Sequence, residues 1–108
     1  MSSDKKTYVF DLDNTLCDTK RNADDTAWGY LDSKPHLDRI ERVNELFQQG
    51  HTIIIETARG SFSKVNWYIQ THEQLTSWGL KFHQLRTGVK FAADYFIDDK
   101  AINSEEFF

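Results

Sequence analysis

The chain has 108 residues, 13 basic against 17 acidic, for a net charge of -4 at pH 7. That length holds one domain spanning 1–108, and 39% hydrophobic content with eight Phe, four Tyr and three Trp provides large packing units for a thin core. No basic stripe is present to bind nucleic acid, a single Cys cannot build a disulfide framework or a cysteine-based zinc site, and no apolar run is long enough to span a bilayer. The polar start contains no signal peptide, so the expectation is a soluble cytoplasmic domain with no membrane partner.

Residues 7–12 (Thr-Tyr-Val-Phe-Asp-Leu) are apolar without alternation, which predicts a strand covered on both faces. A polar stretch follows to Pro35, a residue favoured in the first turn of a helix. Leu37, Ile40, Val43 and Leu46 or Phe47 recur at helical spacing, and Gly50 supplies the stop. The β-branched run at 51–56 predicts a second buried strand, and 57–61 a loop. Val65, Tyr68, Ile69, Leu75 and Trp78 mark one face of a second helix, polar in its middle from Gln70 to Gln74 and stopped at Gly79. Residues 82–85 form a short third strand, and 94–97 (Asp-Tyr-Phe-Ile) a fourth. This alternation predicts an α/β domain with a largely parallel sheet.

The notable polar residues follow these strands: Asp11 and Asp13 the first, Thr57 and Arg59 the second, Asp98 and Asp99 the fourth. The carboxyl ends of parallel strands share one edge, where ligands bind. Four carboxylates gathered there repel one another unless a cation intervenes, and a hard divalent ion, magnesium, suits their oxygens. Such an ion also draws phosphate, and Lys90 lies just before the last strand.

Asp11-Leu12-Asp13-Asn14-Thr15 resembles motif I, Asp-x-Asp-x-Thr, of the haloacid dehalogenase-like (HAD) phosphatases. Thr57 resembles their motif II, Lys90 motif III and Asp98-Asp99 motif IV, in the family's order across nearly the whole chain. More narrowly, Thr57-Ala58-Arg59-Gly60 and Ile97-Asp98-Asp99-Lys100-Ala101 resemble small members linked to capsule or lipopolysaccharide biosynthesis. The chain departs from the family at Val89-Lys90-Phe91, where Gly-Lys-Pro is common, and at Asn14, which replaces a glycine but tolerates left-handed backbone.

The resemblance implies a minimal three-layer Rossmannoid fold with strand order 3-2-1-4. The gaps between motifs leave no room for a cap domain. The open site that results accepts large substrates or is covered by a neighbouring subunit of a homo-oligomer. It also implies a magnesium-dependent phosphomonoesterase acting on a phosphorylated small metabolite of the sugar phosphate or nucleotide class. In that scheme Asp11 is the nucleophile, and Asp13 protonates the leaving oxygen and then activates water. Thr57 and Lys90 hold the phosphoryl oxygens, with Arg59 either binding a substrate anion or pairing with Glu56. By the same resemblance magnesium is held by Asp11, the Asp13 carbonyl and the Asp98–Asp99 pair, with Asp99 favoured as the direct ligand and Asp98 behind it, or the two in reversed order.

Other readings compete. A signalling receiver domain also combines acidic residues, Thr and Lys, but it needs its phosphoacceptor Asp after a middle strand, where this chain has Glu56-Thr57. A non-catalytic phosphate-binding module would keep the fold without turnover. Cys17 reads as a small buried hydrophobe, and the four His residues show no ligand spacing. Trp28-Gly29-Tyr30 serves core packing or substrate stacking, and Phe107-Phe108 packs on the domain or on a second subunit.

Overall fold

The first strand, β1 (Thr7–Phe10), carries Phe10 into the core and leaves Val9 exposed. A computed structural model describes residues 5–20, 30–60, 66–90 and 93–108. Beyond β1 the chain turns through Asn14, whose φ of 63° is the left-handed geometry a short amide side chain can adopt. Two-residue strands β2 (Cys17–Asp18) and β3 (Lys34–Pro35) then pair antiparallel. Pro35 therefore lies in a strand opposite Cys17 rather than in the first helical turn.

Helix α1 (Leu37–Gln48) buries Ile40, Val43 and Leu46, the stripe expected of an amphipathic helix. Gly50, at φ 94°, turns the chain out of it. Strand β4 (Thr52–Thr57) follows, burying Ile53, Ile55 and Thr57 while Ile54 and Glu56 are half-buried. Helix α2 (Tyr68–Ser77) buries Thr71 and Leu75, and β5 (Gln84–Thr87) buries Leu85. The short helix α3 (Ser104–Phe107) is capped by Asn103, whose side chain accepts from the Glu105 N–H.

Strands β1, β4 and β5 make one parallel sheet with β4 in the middle. Thr7 pairs with Thr52 through to Phe10 with Ile55, and Ile54 pairs with Gln84 through to Thr57 with Thr87. Helix α1 packs on β4 and α2 on β5. One apolar cluster joins Phe10, Leu12, Leu16, Ile40, Val43, Leu46, Ile53, Ile55, Leu75 and Leu85, and each fully buried aliphatic side chain contributes about 1.5–3 kcal/mol. The Phe107 ring lies 5.6 Å from Phe10 and 6.0 Å from Tyr8, so both terminal aromatics pack on this domain. Among the described residues no helix is long and apolar enough to cross a membrane.

Three further expectations change. The sequence predicts a strand at 94–97, but that segment is irregular, with Tyr95, Phe96 and Ile97 exposed, so β1 has no partner on its outer side among the described strands. A strand holds only where a neighbour accepts its ladder, and an apolar run cannot supply that neighbour by itself. Correspondingly, β1 is covered on one face rather than two, which leaves Val9 58% exposed. The third strand lies at 84–87 instead of 82–85, because Phe82 packs against the core while pairing with β4 begins at Gln84.

Candidate active site at the strand ends

Asp11 and Asp13 sit just past β1, on a turn tied down by its own backbone. The Asn14 N–H donates to the Cys17 carbonyl at 2.7 Å, and the Leu16 N–H donates to the Leu12 carbonyl at 2.9 Å. Leu12 and Leu16 are fully buried, so the turn is anchored from below and its polar residues face outward. Asp11 is partly exposed; its Oδ2 accepts from Thr15 Oγ1 at 3.1 Å, and Lys90 Nζ lies 2.9 Å from its Oδ1. The ammonium of Lys90 also lies 5.1 Å from the Phe96 ring centre.

Asp13 has a different environment. Its Oδ1 accepts from Thr19 Oγ1 at 2.6 Å and from Arg59 Nη2 at 2.7 Å, and Arg59 Nε lies 3.2 Å from Oδ1 and 3.0 Å from Oδ2. Thr57, the last residue of β4, donates its hydroxyl to Oδ2 at 3.4 Å and accepts the Arg59 N–H at 3.2 Å. Beside it, burial raises the Cys17 thiol above its usual 9.0, so the sulfur stays protonated; it contacts Thr19 Oγ1 at 3.4 Å, the Leu12 carbonyl at 3.6 Å and Asp13 Oδ1 at 3.8 Å.

Arg59 partners neither a free anion pocket nor Glu56. Its side chain is completely buried, with the guanidinium on Asp13, Gln74, Thr71 and Ser33 and the Tyr30 ring 4.6 Å away. Glu56 instead faces Arg86, at 3.5 Å across the partly exposed side of the sheet. Alternation along β4 explains the choice: Thr57 points into the core, Glu56 away from it, and Arg59 follows Thr57.

The crevice thus brings together Asp11, Asp13, Thr57, Arg59 and Lys90. Asp98 and Asp99 remain apart, exposed on the 93–100 segment; the Lys100 N–H donates to Asp98 Oδ1 at 2.7 Å and holds that carboxyl below its usual range. Among the described residues no three His, Cys, Asp or Glu side chains cluster to hold a metal ion. Of the four carboxylates expected together, the structure therefore brings Asp11 and Asp13 to this edge and leaves Asp98 and Asp99 exposed on the 93–100 segment. Trp28 and Gly29 lie outside the described residues; Tyr30 stacks on Arg59 and edge-on against the buried Trp67, which places it in the packing around Asp13.

Sequence reasoning missed Thr19, Ser33, Thr71 and Gln74. The polar middle of the second helix was the available signal. Thr71 and Gln74 stand one turn apart on α2, and both accept from Arg59 Nη1.

No protein-family model and no curated protein matches the sequence. Among solved structures, the chain is similar to an MCSG target from Vibrio cholerae, at 28% identity and TM-score 0.77, over 94% of this chain and 86% of that one. It also resembles a chain of the Pnkp1/Rnl/Hen1 complex, at 20% identity and TM-score 0.63, where all of this chain spans 34% of the other. The second likeness is one of fold. Together with the geometry, they define a small α/β domain whose parallel sheet presents acidic and basic side chains at one edge.

Proposed function

We propose that this protein is a capless phosphomonoesterase of the haloacid dehalogenase type, working through an aspartyl-phosphate on Asp11. One observation carries the reading: two aspartates two residues apart occupy opposite environments at one strand edge. Asp11 is partly open beside a cation, as a nucleophile approaching an anionic phosphoryl group needs to be. Asp13 is enclosed by donors, as a group that handles protons without competing for phosphorus needs to be.

In this mechanism Asp11 attacks phosphorus in line and the alcohol oxygen leaves. Asp13 serves that oxygen as acid, then removes a proton from the water that hydrolyses the acyl phosphate. Lys90 shifts from Asp11 toward the phosphoryl oxygens and stabilises their charge, and Thr57 steadies both Asp13 and the phosphoryl group. Magnesium, when bound, supplies further neutralisation of those oxygens. Asp11 and the Asp13 carbonyl would hold it, together with Asp99 once residues 94–97 pair along the outer side of β1, giving strand order 3-2-1-4 in a three-layer fold. The substrate is a phosphorylated small metabolite, and the cytoplasm is the compartment that suits it.

Trifluoroberyllate, a mimic of a phosphoryl group on a carboxylate, tests the reading. Tight binding that depends on magnesium and on Asp11 supports it, and a fluoride complex found on any other side chain overturns it.

A further inference from the structure

Arg39 stands in the first turn of α1 with its side chain 15% exposed, and its guanidinium serves two segments at once. Nη1 donates to the Thr15 carbonyl at 2.9 Å and Nη2 to Glu105 Oε2 at 2.9 Å, while the Phe108 ring centre lies 4.9 Å from Cζ. The Glu105 side chain is 82% exposed, so the ion pair itself adds little to stability. Its effect is directional. A planar guanidinium held at one end presents its other N–H groups along a set line.

That line falls on a particular carbonyl. In the turn after β1, the Leu12 carbonyl accepts the Thr15 and Leu16 N–H groups, the Leu16 carbonyl accepts that of His36, and the Cys17 carbonyl accepts that of Asn14. Backbone answers backbone at those three positions, whereas the Thr15 carbonyl is answered by a side chain from another element. Thr15 is also the residue whose hydroxyl donates to Asp11 Oδ2 at 3.1 Å. A chain of contacts therefore runs from Glu105 through Arg39 and Thr15 to the carboxylate of Asp11. A second route arrives through the rings: Phe107 and Phe108 lie 5.6 Å and 5.9 Å from Phe10, the residue that precedes Asp11.

We propose that Arg39 is a positioning residue that makes the aim of Asp11 depend on how residues 104–108 are seated. This rests on the phosphomonoesterase reading and adds a control on that same site. Asp11 forms its bond to phosphorus as the bond to the ester oxygen breaks, and the electron pair leaves with that oxygen. The attacking oxygen must face phosphorus from the side opposite the leaving one, so a misplacement of about 1 Å costs about a hundredfold in rate. Arg39 touches neither the ester nor Asp11. With residues 104–108 seated, the guanidinium holds Thr15 and Thr15 holds Asp11. With them lifted, the fork loses its far anchor and the turn relaxes.

The test measures hydrolysis of p-nitrophenyl phosphate with magnesium, and hydrogen exchange at the Thr15 and Leu16 amides, in the native protein, Arg39→Met, Arg39→Lys and Glu105→Ala. In Arg39→Met kcat should fall by about tenfold to a hundredfold with KM little changed, the pattern of an interaction used in the transition state alone. Glu105→Ala should show a smaller fall in the same direction. Arg39→Lys should recover only part of the loss, because an ammonium lacks the fork that reaches Thr15 and Glu105 together. Exchange at Thr15 and Leu16 should quicken in step with kcat while β4 amides stay as they were. A merely structural arginine would lower the urea midpoint and leave kcat of the folded protein unchanged, and that result overturns the proposal. If Arg39→Met does not fold, Glu105→Ala decides, since its side chain is exposed. Active native protein with unmoved kcat in the variants sinks this inference alone. Native protein inert toward the ester sinks the phosphatase reading; quickened exchange at the turn then still supports the linkage, and unmoved exchange overturns it as well.

Discussion

Lys90 and Asp11 come from opposite sides of the sheet, one following β5 and the other β1, yet their charged atoms lie 2.9 Å apart in front of β4. Both are partly exposed, so the pair contributes little to stability. In the proposed mechanism its value is that a cation stands where a phosphoryl group would arrive.

Lys90→Met should therefore cost activity and spare the fold. Loss of one charge-stabilising donor typically lowers turnover by about a hundred- to a thousand-fold. Steady-state kinetics should show that fall, while urea denaturation should move by no more than about 1 kcal/mol. A large loss of stability with little loss of turnover would reverse the assignment.

Under the proposed mechanism Asp11 and Asp13 should separate by chemistry. Asp11→Asn removes the nucleophile, so no phosphoenzyme forms and turnover disappears. Asp13→Asn keeps the nucleophile and costs about a hundred- to ten-thousand-fold, less in the first step with an aryl ester than with an alkyl one. Intact mass should find phosphoenzyme in Asp13→Asn given p-nitrophenyl phosphate and none in Asp11→Asn. The opposite pattern would exchange their roles.

Removal of divalent ions is the third test. Phosphate release should stop in excess chelator and return with magnesium. Because Asp98 and Asp99 stand on an exposed segment, magnesium should also protect β1 amides from hydrogen exchange as 94–97 pairs beside them. Full turnover in chelator contradicts the metal, and unchanged β1 exchange contradicts the fourth strand.

Much of this site was legible in the residues. Apolar runs locate β1 and β4, and a parallel sheet then carries whatever follows them to one edge, which is why Asp11, Asp13 and Thr57 meet, while Lys90 joins them from behind β5. The destination of Arg59 was not legible. It depends on which face of α2 meets the guanidinium, a fact of packing rather than of spacing, and Thr71 and Gln74 read only as a polar interruption of a helix. The segment 94–97 has strand composition, but pairing is non-local and composition does not name a partner. Asn14 is the reverse case, its left-handed φ of 63° following from the chemistry of its side chain.

Cys17 offers a pH test. Burial raises its thiol in the folded chain, while the unfolded thiol ionises near 9.0. The folded state thus binds the proton more firmly. The stability from this group is complete below pH 9.0 and is lost as pH rises through the higher, folded value. Denaturation should show stability declining above that pH, less so in Cys17→Ala, and alkylation at neutral pH should be slow until the protein is unfolded.

Arg39 reaches the turn that carries Asp11 and Asp13 from the other side, donating to the Thr15 carbonyl at 2.9 Å while its second nitrogen meets Glu105 at 2.9 Å and its plane covers Phe108 at 4.9 Å. Residues 104–108 thereby act as a brace for the turn that carries Asp11. A version shortened at Asn103 would keep every chemistry-bearing side chain and still strip Phe10 of the Phe107 and Phe108 rings and Arg39 of its counter-charge. A truncation series would then record the removal of residues 104–108 as a defect in the proposed activity.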